Sequence, residues 1–163
     1  MTWSEYLAAQ LERARNLSLH VIGDFTDEDF YRKFDNINPG IWVLGHMSNS
    51  IPSIVFKALG EPVPVSPEWS KWFAIGAKVL DDLHEYPSLS EIRRVLNEGQ
   101  QLTLQRIKKL TDQELLAPCD PKMQVIPWLK TVRDAICLAV IHESNHGGQL
   151  IWLRKLVGKP GLI

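Results

Sequence analysis

The chain has 163 residues, 45% of them hydrophobic and 23% charged, with a formal net charge of −1 and a pI of about 6.5. That length suits one domain, 1–163, with a hydrophobic core of its own. The near balance of charge excludes the general attraction to nucleic acid and to anionic membranes that basic faces provide, so neither is expected as a partner.

Helical signals run through almost the whole chain. The N-terminal stretch MTWSEYLAAQLERAR carries charge from Glu5 onward and is not expected to be a signal peptide. Thr2 and Glu5 form the T-x-x-E pattern of a capping box, predicting a first helix that runs toward Ile22 and stops at Gly23. Thr26 followed by DED opens a short second piece. In NPGIWVLGHMSNSIPSIVFKALG, Asn38 is expected as the cap, Pro39 at the first helical position and the end at Gly60. Pro52 inside that segment should bend the helix or loosen one turn.

Residues 60–87 are punctuated by proline and glycine: GEPVPVSP reads as loop, and EWSKWFAIGAKVLDDLHEY as irregularly helical at best. Ser88 with Glu91 repeats the capping box and opens LSEIRRVLNEGQQLTLQRIKKL; its basic run RIKK reads as a solvated helix end. Thr111 with Glu114 opens a short turn that ends at Pro118. After the loop CDPKMQVIP, a final helix is predicted from about Trp128 to Val157, with Gly158 past its end and Pro160 beyond. Strand alternation is never sustained. Four long helices with connectors predict an all-α helix bundle, and the 60–87 connection is long enough to run back along a helix. The apolar run AICLAVI falls far short of the roughly 20 residues that span a bilayer. Cys119 and Cys137 form no C-x-x-C pair, so a reducing cytoplasm is the expected location. Cys137 should pack as a small hydrophobe, and Cys119 is a candidate thiol.

Near the C-terminus stands HESNH, residues 142–146, the H-E-x-x-H pattern of zinc proteases. At about 100° per residue, His142 and His146 lie about 40° apart, one turn above the other, as two ligands on one helix must. On the same side fall Ala135, Leu138, Ala139, Asn145, Gln149, Leu153 and Leu156, so a polar group interrupts an apolar stripe. Buried polar groups need partners, and a metal is one answer. A protease needs a third ligand downstream, but position 152 is Trp152, and no Asp, Glu or His follows His146. The protease reading therefore fails, and the third ligand must lie upstream, at His20, His46 or His84. His46 is best placed, within a helix whose Trp42, Asn49, Ser50 and Ser53 share its side. Ser50 and Ser53 either bond back to helix carbonyls or meet substrate, and Trp42 is either a core aromatic or a pocket wall.

GIWVLGHM resembles the helix-two histidine motif of the DinB/YfiT-like family of small metalloenzymes, and IHESNHGGQLIWLRKLVGKPG resembles its helix-four motif, H-x-x-x-H-x-G-Q with a basic, leucine-rich turn. The resemblance implies an up-down-down-up four-helix bundle, a homodimer, and three histidine ligands that fall on His46, His142 and His146. Gly147 and Gly148 depart from the commonest family pattern. Three imidazoles leave a coordination position open, the layout of a catalytic zinc site, though nickel, iron and copper also suit imidazole. Two chemistries follow. The resemblance implies a transferase that activates a low-molecular-weight thiol, such as bacillithiol or mycothiol, toward a small electrophile. The alternative is a hydrolase using metal-bound hydroxide, with Glu143 as candidate general base, although Glu143 sits about 100° from His142. Asn49, Asn145 and Gln149 are candidates for orienting bound water or ligand. A non-catalytic, metal-stabilised bundle that binds a ligand is the third possibility.

Overall fold

A computed structural model describes residues 1–123 and 126–162; Gln124 and Val125, within the loop expected at 119–127, and Ile163 lie outside the described residues. Among the described residues there is no strand, only isolated bridges at Phe34–Ile37 and Pro118–Thr131. The helices are α1 (Trp3–Val21), α2 (Asp27–Tyr31), α3 (Gly40–Ala58), α4 (Trp69–Phe73), α5 (Leu89–Lys108), α6 (Asp112–Leu116) and α7 (Val132–Leu156), with 3₁₀ turns at Leu83–Glu85 and Pro121–Met123. None is long and apolar enough to cross a membrane.

Capping chemistry sets most of the starts. Thr2 with Glu5, Thr26 with Asp29 and Thr111 with Glu114 form full capping boxes, each satisfying a helix N–H and the cap's own N–H. Two boundaries and one cap differ from the sequence expectation. Pro39, not Asn38, is the cap of α3: its ψ of 156° is extended, so helical geometry begins at Gly40. Ser88 caps α5 by accepting from the Glu91 N–H, but the Glu91 carboxylate turns to Arg94, leaving half a box. The final helix begins at Val132 rather than near Trp128, because Thr131 and Asp134 supply the capping box there. Gly158, at φ +83°, ends the helix in the left-handed region that glycine adopts without strain.

The four long helices pack in a closed circuit, α1 on α7 and α5, α3 on α5 and α7. Two core clusters fill the space between them. One joins Leu7, Ala8 and Leu11 of α1 with Ile51, Val55, Leu104, Ile107, Val132 and Ile136; Cys137 packs against its edge. The other joins Val21, the stretch Ile41–Leu44 with Met47, Ile92, Leu96, Leu150 and Leu153, and takes in Trp69, Phe73 and Tyr86 from the long connection. Cys119 is buried with Ala58, Leu129 and Ala135. Pro52 is accommodated inside α3 without ending it, and Gly99 of α5 supplies the room: a Cβ there would stand 3.0 Å from the Pro52 ring.

Candidate metal centre

The connection between α3 and α5 folds back on α3 and decides how His46 is held. A Cβ at Gly45 would overlap the Phe73 ring, so glycine at this position lets α4 lie directly on α3. Trp69 adds a tie, its Nε1 donating to Ser48 Oγ at 2.7 Å, while Ser48 donates to the Gly45 carbonyl. This seating brings the Phe73 carbonyl to 2.7 Å from His46 Nδ1. A carbonyl only accepts, so Nδ1 carries the proton and the Nε2 lone pair faces the other way.

It faces α7. His46 Nε2 is 3.0 Å from His142 Nε2, which is 3.1 Å from His146 Nε2. His146 is anchored like His46, its Nδ1 donating to Gln149 Oε1 at 2.9 Å. With both outer imidazoles protonated on Nδ1, His142 has at most one Nε2 proton to share between two facing nitrogens. At least one pair of lone pairs therefore confronts each other without a proton, an arrangement that a cation relieves. Four-coordinate zinc with Zn–N of about 2.0–2.1 Å spaces its ligand atoms by about 3.3–3.4 Å, close to the separations found. The group His46, His142 and His146 could hold a metal ion, and no carboxylate or thiol joins it among the described residues.

All three imidazoles are held in the neutral, ligating form. Burial, helped by the neighbouring His146 and His46, pushes the His142 pKa down to about 4. Burial also lowers His46 and His146, partly offset by the Phe73 carbonyl at one and by Gln149 and the charge of Glu143 at the other.

The remaining candidates fall at different places around this cluster. Trp42 is buried and stacks on His46 with ring centroids 4.8 Å apart and planes within 6°; its buried Nε1 has no hydrogen-bond partner among the described residues. Asn49 is buried and accepts from Ser70 Oγ at 3.2 Å, whereas Ser50 donates back to the His46 carbonyl at 2.7 Å. Asn145 is exposed. Gln149, exposed on its outer side, lines a groove of about 360 Å³ together with Asn36, Ile37, Asn38 and Trp152. His20 and His84 stand apart from the cluster, His84 stacking on Tyr31.

Glu143 is fully buried, and both its oxygens are taken by Arg15 of α1: Nε at 2.6 Å and Nη2 at 2.9 Å. The buried stripe of α7 runs through Val132, Ile136, Ala139, Glu143, His146, Leu150 and Leu153, so its centre is Glu143. The expected stripe centred on His142 is thus rotated, leaving Asn145, Gln149 and Leu156 exposed. Sequence reasoning passed over Arg15, which occupies a core position of α1 between Leu11 and Ser18, three and four residues apart, as a heptad seam requires. It also passed over Gly45, whose letter did signal a close approach within a helix. The Phe73 carbonyl carried no such signal, because any residue supplies one.

The model of the DinB superfamily matches residues 10–150 of the chain. A solved structure, the conserved protein of locus from Enterococcus faecalis, is similar with a TM-score of 0.73 at 16% identity, over 98% of this chain and 99% of that one. At that identity the likeness is one of fold. No curated protein matches the chain.

Proposed function

The chain belongs to the DinB superfamily, and from that premise we propose that it is a metal-dependent enzyme acting as a low-molecular-weight-thiol S-transferase on a small electrophile. The observation that carries the reading is the convergence of three imidazole Nε2 atoms, two of them turned inward by bonds from Nδ1 to the Phe73 carbonyl and Gln149. His46, His142 and His146 would be the ligands. A divalent transition ion, zinc as first choice and nickel or iron as alternatives, would supply Lewis-acid chemistry and favour the thiolate form of a bound thiol.

The chain's own groups divide the remaining work. Trp42 forms an apolar wall against His46. Gln149 fixes His146 and also lines the groove toward Trp152, where the substrate is placed in this reading. Asn145, exposed one residue before His146, would meet a ligand only from the solvent side. Asn49 and Ser50 are assigned to holding α4 and the α3 backbone rather than to substrate. Glu143 is not assigned as general base, since a carboxylate engaged twice by a guanidinium is a poor proton acceptor. The reading includes an up-down-down-up four-helix bundle, which the clusters support: one joins the end of α1, the starts of α3 and α5 and the end of α7, the other joins the opposite ends. It also includes a homodimer in the cytoplasm.

Metal content of protein purified without added metal tests the site, alongside His46→Ala, His142→Ala and His146→Ala. One ion per chain in the parent and loss in each variant is the expected result; full occupancy in all three variants overturns the site. Thiols paired with electrophiles, screened against simple esters and amides, test the reaction. Thiol-independent ester cleavage would replace the transferase with a hydrolase, and metal without turnover in either arm would leave a binding bundle.

A further inference from the structure

Within α7, the residue between the two histidine turns is the most deeply buried charged side chain among the described residues. Glu143 is 0% exposed and its partner Arg15 is 3% exposed. Replacing such a buried pair by apolar side chains of similar volume is often neutral or stabilising, because desolvation cancels most of the attraction. Packing the core therefore does not explain these residues, and what they add is direction. Two parallel N–H···O bonds fix both the separation and the plane of guanidinium and carboxylate. The third arm of Arg15, Nη1, donates to the Leu96 carbonyl of α5 at 3.3 Å, so one side chain ties α1, α5 and α7 together.

We propose that the Arg15–Glu143 pair is a positioning device for the metal ligands, setting the rotation and register of α7 so that His142 and His146 face His46. The proposal rests on the metal-centre reading above. Glu143 adjoins His142 and lies three residues before His146, so whatever holds its carboxylate holds both imidazoles. Besides the pair, α1 and α7 meet through small and aliphatic side chains, and near the far end of α7 Arg154 donates to the Val21 carbonyl at 2.9 Å. Ala8 and Ala139 are small, and at Gly147 a Cβ would stand 2.9 Å from Ser18 Oγ. Apolar and small surfaces tolerate sliding and rotation. A buried ion pair does not, because every other register leaves two charges desolvated and unpaired. A slip of one residue turns the helix by about 100°, enough to carry His142 away from His46.

The test compares the parent with Arg15→Met/Glu143→Leu and with Arg15→Lys, which keeps the charge but loses the two-armed geometry. Each protein is stripped of metal, its thermal midpoint measured, and zinc alone titrated against a chromophoric chelator. The double variant is expected to melt at or above the parent's temperature yet bind zinc about 10–100-fold more weakly, with all three histidines intact. Arg15→Lys is expected to weaken zinc binding by about tenfold. Parent-like zinc affinity in either variant overturns the proposal. So does unfolding of the double variant, which would make the pair an ordinary stability element. A parent chain that takes up no zinc refutes the metal centre itself, an outcome distinct from these because it appears before any substitution is made.

Discussion

At His46 the imidazole is fixed from behind by a peptide oxygen, and the absence of a side chain at Gly45 is what lets that oxygen arrive. Gly45→Ala would place a methyl within the Phe73 ring. The overpacking should cost about 1–3 kcal/mol, more than the ~1 kcal/mol that alanine gains over glycine inside a helix. Displacing Phe73 also withdraws the Nδ1 acceptor, so zinc affinity should fall about tenfold. Urea unfolding and zinc titration check both, and a variant as stable as the parent with unchanged affinity would sink the idea. The histidines that converge were legible because i,i+4 spacing on a helix is a matter of letters, and because no donor follows His146. Their supports were less so. Arg15 was passed over and Glu143 was read as a candidate general base, because neither letter names its partner 128 positions away.

Helix α7 shows how one element reconciles packing with ligation. Its two glycines are adjacent in sequence and opposite in circumstance: Gly147 is buried against Ser18, while a Cβ at Gly148 would meet none of the described residues within 4 Å. Gly148→Ala should therefore stabilise the fold by about 1 kcal/mol through lower unfolded-state entropy and better helix propensity. Gly147→Ala should lose that gain, since Ser18 Oγ must leave its bond to the Ala14 carbonyl to make room. Paired urea midpoints decide it; equal stabilisation by both would mean that α1 and α7 are not in the close register described. The glycines thus mark a helix-to-helix approach and leave α7 continuous. The four long helices and the short α2 and α6 were legible from their caps, whereas α4, with no side-chain cap, and the 3₁₀ turns were not; the misplaced starts share a cause. Asn38 and Trp128 were chosen by local preference, while Pro39 and Thr131 won because their backbone and hydrogen bonds close the first turn. The rotation of the α7 stripe was illegible for another reason: a glutamate at the stripe's centre reads as solvent-facing from sequence alone.

Across the whole molecule, the metal-free chain carries three imidazoles in an environment that resists their charge. The unfolded chain takes up protons near pH 6.5, whereas folded His142 does so only at about pH 4, with His46 and His146 also lowered. Between those values the unfolded state binds more protons, so stability is full above about pH 6.5 and falls as the pH drops toward 4. Each proton of difference contributes a slope of at most about 1.4 kcal/mol per pH unit. Carboxylates act in a lower window: Asp24 is held down by Arg154 and Glu91 by Arg94, so their contributions are full above the ordinary carboxylate range and are lost as the pH falls through it and below. Near pH 4 the two windows meet, and there the comparison with His142→Ala tells them apart. Urea unfolding of the metal-stripped protein at pH 7, 6, 5 and 4.5 should show a steady loss, and His142→Ala should flatten it by removing the most depressed imidazole. A metal-stripped parent whose stability is level from pH 6.5 to 4.5 would mean that these rings are not held neutral by burial. Bound zinc should raise stability at pH 7 and steepen its decline on acidification, since the metal and protons compete for the same three Nε2 atoms.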